Sequence, residues 1–120
     1  MRVFEVRIRT DAEAKAAFLE AWKLAEAGKS GPGDEGLFFT NYEAARALFT
    51  DKRIELLRLI RKHAPTSINK LARIAGRDFK NVYMDVIHFK NLDIVNVPRG
   101  KNAGEPLTVL YDAFNLHVSV

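Results

Sequence analysis

Between Thr50 and Asn91 the apolar positions recur every three or four residues in three successive stretches. Each stretch predicts an amphipathic helix with one buried stripe. In the first, Thr50 to His63, the inner stripe is Ile54, Leu57 and Ile60, with Arg53, Arg58, Arg61 and Lys62 largely outside. Thr50 can cap it, Asp51 suits the positive end of its dipole, and Pro65 blocks its continuation. In the second, Ile68, Leu71, Ala72 and Ala75 share a face, Ser67 supplies an N-cap hydroxyl, and Asn69, Lys70 and Arg73 fall elsewhere. Gly76 follows the last periodic residue, where a left-handed residue ends a helix. Asp78 can then cap a third helix, from about Phe79 to Asn91, whose buried face is Val82, Val86 and Phe89. Lys80, Asn81, Tyr83, Met84, Ile87 and His88 are left for its other sides.

Beyond Asn91 the pattern shortens. Ile94 to Val97 and Leu107 to Tyr111 are β-prone runs. The segment PRGKNAGEP between them holds two prolines and two glycines, which continue neither strand nor helix, and it carries Arg99 and Lys101 near its tip. Helix, helix, turn, helix and hairpin in that order match a winged helix-turn-helix. In that architecture the helix from Phe79 would enter a major groove, and the basic hairpin tip would reach a phosphate or the minor groove. A helical hairpin in a core with a solvated face would give the same helical pattern, and an ordinary flexible loop the same tip. The turn, the basic flank and the hairpin occurring together point to double-stranded DNA.

The flanks read more simply. Met1 to Arg9 alternates, with Val3, Phe4, Val6 and Ile8 among charges, and predicts a strand. Thr10 or Asp11 can cap a helix through Ala27, with an inner stripe of Ala14, Phe18, Ala21, Trp22 and Ala25. Gly28 to Gly36 predicts a flexible loop. Leu37, Phe38 and Phe39 suggest a short strand, and Asn41 can cap a brief helix through Leu48. Phe114, Leu116, Val118 and Val120 alternate with Asn115, His117 and Ser119, one more strand with one apolar face. The expected class is therefore α+β: a strand-helix-strand extension over 1–49, a winged helix-turn-helix over 50–113 and a C-terminal strand over 114–120. The extension is the expected site of dimerisation or partner binding. The end strands can serve a dimer interface, or they can pair within one chain and close its core.

Charge sharpens this division. From Asp51 to Lys101 there are twelve Lys and Arg against five Asp and Glu, whereas the net charge is −1 over Met1 to Thr50 and −2 over Asn102 to Val120. A basic segment raises affinity for phosphate by counterion release but carries no sequence information. At 120 residues the chain has room for a single core, and its 48% hydrophobic content is ordinary for a globular protein. It has no run long enough to cross a bilayer and no signal-peptide pattern, so no membrane partner is expected. Cysteine is absent, which removes disulfides and thiolate metal sites and fits a cytoplasmic protein.

Catalysis finds little footing. Gly28-Lys29-Ser30 resembles the end of a phosphate-binding loop, but position 23 is Lys where that motif needs glycine, and the tripeptide follows a helix. His63, His88 and His117 are far apart and lack metal-ligand spacing. No serine stands in a nucleophile-elbow context. The expectation is no enzyme, no cofactor and no metal.

The run TDKRIELLRLIRKHAPTSINKLARIAGRDFKNVYMDVIHFKNLDIV resembles predicted winged-helix regulators of archaea and bacteria loosely grouped with MarR-like proteins. The most specific part is LARIAGRDFKNVYMDV, Leu71 to Val86, in which Gly76-Arg77-Asp78 and Lys80-Asn81 match the family's pattern. Weaker likeness extends into the N-terminal half. The resemblance implies a small DNA-binding repressor; some relatives are antitoxin-like, neutralising a small toxin and repressing the shared promoter. Met84 and Ile87 depart from it, standing where relatives more often carry charged or polar residues. Such apolar groups can read a thymine methyl, or pack against a neighbouring chain or the N-terminal segment.

The expected function is a sequence-specific regulator, a repressor acting as a homodimer on near-palindromic sites. Its contact set would be Ser67, Lys70, Arg73, Arg77, Lys80, Asn81, Tyr83 and His88, with Arg99 and Lys101 in the wing. Asn81 and Tyr83 are the choices for base edges, Asn because it pairs bidentately with adenine, and the basic residues for phosphates. The alternative is an antitoxin whose main task is to bind a cognate toxin protein, through exposed apolar residues such as Phe4, Phe18 and Trp22.

Overall fold

Asp51 to His63 is a run of thirteen residues with no proline or glycine, and it forms the helix α3 (Asp51–His63). The computed structural model of the chain describes residues 1–28 and 36–120. They divide into two units, Met1–Leu48 with Asp112–Val120, and Phe49–Tyr111. The whole is α+β. No helix among the described residues is long and apolar enough to cross a membrane.

The first unit is built on β1 (Val3–Ile8), the middle strand of a three-stranded sheet. It pairs in parallel with β2 (Gly36–Phe39) on one side and β5 (Ala113–Val118) on the other. The two end strands thus pair with each other within the chain, in the register Val3↔Ala113 to Ile8↔Val118. Alternation along β1 buries Phe4, Val6 and Ile8 and turns Glu5 and Arg7 to the other face. The helix α2 (Tyr42–Leu48) lies against β1 and β2 and buries Ala45 and Leu48. Asn41 Oδ1 accepts the Ala44 amide at 2.9 Å, the predicted cap. Gly36, expected in the loop, opens β2 opposite Glu5, and a Cβ there would collide with the Glu5 carbonyl. Residues 29–35 of that loop, including Lys29 and Ser30 of the phosphate-loop comparison, lie outside the described residues.

The helix α1 (Asp11–Glu26) follows β1 through a capping box: the Glu13 amide donates to Thr10 Oγ1 and the Thr10 amide to Glu13 Oε1, each at 3.2 Å. Its predicted inner stripe is not buried. No residue of α1 is buried, and Phe18 and Trp22 stand 65% and 58% exposed. The reason is that α1 packs closely on no other element among the described residues. A cleft of about 510 Å³ lies between the first turns of α1 and that face, lined by Glu5, Arg7, Arg9, Asn115 and His117 beside Glu13. Glu13 turns toward these polar groups and accepts the Ser119 hydroxyl at 3.1 Å. Phe18 and Trp22, on the opposite side of the helix, face solvent.

The second unit holds α3, α4 (Ile68–Ala75), α5 (Phe79–Asn91) and an antiparallel pair, β3 (Val95–Asn96) with β4 (Thr108–Val109). Thr50 Oγ1 accepts the Arg53 amide and Ser67 Oγ the Lys70 amide, at 3.2 and 3.0 Å, as the pattern required. Leu71, Val82, Val86, Phe89 and Ile94 are wholly buried, joined by Leu56, Leu57, Ile60 and Leu107. Leu56 takes the core place expected of Ile54, which is half-buried. Asp78 occupies the N-cap position of α5 but makes no side-chain bond to it; the residue is exposed, so water can satisfy both its carboxylate and the first-turn amides. The β-ladder is shorter than its β-prone runs. Pro98 and Pro106 bring no N–H, and the Leu107 amide donates to Pro65 O at 2.9 Å instead.

Candidate nucleic-acid interface

The turn between α4 and α5 is closed by the chain's own backbone. Gly76 sits at φ 64°, and the Arg77 amide donates to Ala72 O at 3.1 Å, so the last carbonyls of α4 are satisfied inside the turn. Four residues later α5 is under way, with Val82, Val86 and Phe89 packed inward. At 100° per residue, the opposite face carries Lys80, Met84 and Asn91, flanked by Asn81 and His88 on one side and Tyr83 on the other. All of these are exposed, Met84 by 61% and Tyr83 by 45%. Phe79 is 47% exposed, and its ring lies 5.8 Å from that of Tyr83. Ile87 is half-buried.

The expected contact residues therefore fall into groups. Lys80, Asn81, Tyr83 and His88 lie on outward sides of one helix. Ser67 and Lys70 stand at the start of α4, where the Ser67 hydroxyl is engaged in the cap and Lys70 Nζ donates to Thr66 Oγ1 at 2.8 Å. Arg73 is exposed near the end of α4. Arg99 and Lys101 are exposed on the segment joining β3 to β4, which contains a short 3-10 turn, Gly100–Asn102.

Arg77 is held differently from the rest. Its Nη2 donates to Asp85 Oδ2 at 2.9 Å, while Arg53 Nε donates to Asp85 Oδ1 at 3.0 Å. One carboxylate thus joins α3, the turn and α5, and the three side chains are only 14% to 24% exposed. Arg77 Nη1 is buried without a hydrogen-bond partner. Two donors of this expected contact residue are therefore turned away from any phosphate, Nη2 by its bond to Asp85 and Nη1 by burial. Arg53 was expected largely outside; the Asp85 carboxylate draws it half under the surface. Asp85 itself was missed. Its signal in the sequence is faint: it is the one acid between Phe79 and Asn91, on the flank of the buried stripe.

Chemically, the arrangement offers cations for phosphate oxygens, an amide and a phenol for base edges, and a thioether and ring for apolar contact with thymine. No curated protein and no solved structure matches the chain. A family model does match it, over residues 48–116, more than half of its length. The matched segment contains the whole of the α3 to β4 unit described above, and on it the chain belongs to the HVO_A0114 family.

Proposed function

We propose that this protein is a sequence-specific double-stranded DNA-binding transcriptional regulator, a winged helix-turn-helix repressor related to MarR-like proteins and acting as a homodimer. The observation that carries the reading is α5. Three wholly buried residues anchor it, and its outward sides gather Lys80, Asn81, Tyr83, Met84 and His88. The left-handed turn at Gly76 before it and the basic β3–β4 segment after it add support. Lys80, Arg73, Lys70, Arg99 and Lys101 would hold phosphates, and Asn81 and Tyr83 would read base edges.

The test is fluorescence anisotropy of the purified protein on its own upstream DNA and on a scrambled duplex, across a salt series. A regulator of this kind prefers its own DNA at physiological salt. Equal and steeply salt-sensitive binding to both would reduce the surface to a non-specific polycation.

The uncovered stripe of α1 favours a second reading, an antitoxin that also binds a small cognate toxin. Phe4, expected on this surface, is buried in the core with Val6 and Ile8 of β1, whereas Phe18 and Trp22 are exposed, with Leu19 next to them. That reading requires a stoichiometric small protein to co-purify from the native host, and Phe18→Ala with Trp22→Ala to release it.

A further inference from the structure

The outer edge of β5 is built to meet its own copy. Among the described residues the sheet order β2-β1-β5 gives β5 one neighbouring strand, and Asn115 to Val118 are exposed. Edge strands are ordinarily protected by lysines, prolines or inward charges. AFNLHV contains none of them. The other edge strand, β2, is shorter, and the Arg9 guanidinium lies 4.7 Å over its Phe38 ring, which places a charge beside it.

The backbone decides which residues point outward. In a parallel pair the N–H and C=O of one residue face the same side, and successive residues alternate. The Ser119 amide donates to Ile8 O at 3.0 Å, so odd-numbered peptide groups of this stretch face β1. Those of Leu116 and Val118 face the open edge. Two copies related by a two-fold axis can then pair antiparallel only with even residues opposite even residues. Centring the pair on Leu116 keeps Asp112 out of the ladder. It sets Leu116 against Leu116, Val118 against Phe114 and Asn115 against His117, apolar beside apolar and uncharged polar beside uncharged polar. Leu116 and Val118 are 51% and 50% exposed in the single chain, on the same side of the sheet as buried Val6 and Ile8. Pairing covers this row and extends the sheet to six strands across the axis.

We propose that the protein forms its homodimer by antiparallel pairing of β5 with β5 of a second copy, Leu116 facing Leu116 on the two-fold axis. This rests on the homodimer reading above and gives that dimer a surface.

The experiment is sedimentation equilibrium of the full chain with single substitutions, joined to oxidative cross-linking. Leu116→Lys places like charges opposite each other and should halve the measured mass from two chains to one. Leu116→Pro removes only an outward donor, so it tests the same edge if the lysine variant does not fold; circular dichroism checks both. The chain has no cysteine, so Leu116→Cys gives a clean register assay and should form a covalent dimer on oxidation. Phe38→Cys and Trp22→Cys should not. A dimer that persists in folded Leu116→Lys and Leu116→Pro but cross-links through Trp22→Cys would overturn β5 pairing and leave a homodimer through α1. A wild-type chain that sediments as a monomer at every concentration and on its own DNA would overturn both.

Discussion

Asn81 and Lys80 are neighbours in sequence but would offer different chemistry to the proposed DNA partner. An asparagine side chain can discriminate a base, whereas an ammonium group senses phosphate charge alone. Asn81→Ala should therefore relax base preference while leaving affinity for random duplex nearly unchanged. Lys80→Ala should weaken every sequence alike and lower the salt slope by about one unit. Anisotropy on specific and random duplexes separates the two, and equal losses on both for Asn81→Ala would remove its role as a reader. Asp85 poses a stability question instead. Deleting its carboxylate leaves Arg53 and Arg77 under the surface with their shared anion gone. Because the side chains retain some water contact, the expected loss for Asp85→Ala is about 2 kcal/mol, below that of a fully buried pair. Urea unfolding reads it directly, and an unchanged midpoint would show the bridge to be dispensable. Asn81 and Lys80 could be chosen from helical spacing. The Asp85 bridge could not, because it depends on how α3 and α5 lie against each other.

At the scale of elements, the caps and stops carry the fold's punctuation. Gly76 has open space where a Cβ would go, so the penalty for Gly76→Ala is the left-handed backbone alone, about 1 kcal/mol. A thermal melt should show a shift of a few degrees downward. At α1, the Glu13 carboxyl is held below the ordinary glutamate range, chiefly by the Thr10 amide, then by the Thr10 and Ser119 hydroxyls and the Arg9 charge. A carboxyl lowered in the folded state stabilises at pH above its unfolded value, and that contribution disappears as pH falls through the lowered folded value. Glu13→Gln should thus flatten the acid limb of a stability–pH profile and leave the difference from wild type constant near neutrality. A mutant whose acid limb matches that of wild type would detach Glu13 from this linkage. Thr10, Asn41, Thr50, Ser67 and Gly76 were readable as caps because each acts within four residues of its own position. The ends of β3 and β4 were not, since their length follows from which carbonyl the Leu107 amide finds.

Over the whole molecule, burial separates residues that look alike in the sequence. Phe89 is wholly buried and Trp22 is 58% exposed, although both lie on apolar stripes of comparable spacing. Phe89→Ala should destabilise by about 3–5 kcal/mol, and Trp22→Ala by no more than about 0.5 kcal/mol. Denaturant titration of the two variants checks the contrast, and a large loss for Trp22→Ala would mean that α1 is covered in solution. The same contrast bears on function, because a stripe with no core to fill remains available to another molecule.

Period, capping and breakers are properties of short windows, and they were enough to place the helices from Thr50 to Asn91, the turn at Gly76 and the buried trio of α5. Chain-local signals also concentrated the basic residues in the unit that holds those helices. Several features instead depended on groups distant in the chain meeting in space. β1 and β5 pair in parallel with more than a hundred residues between them. α1 packs closely on no other described element, so a stripe periodic enough for a core meets solvent. Asp85 gathers two arginines from separate elements. Hydrophobic periodicity states that a face can be buried; which surface is there to bury it is settled only when the elements pack.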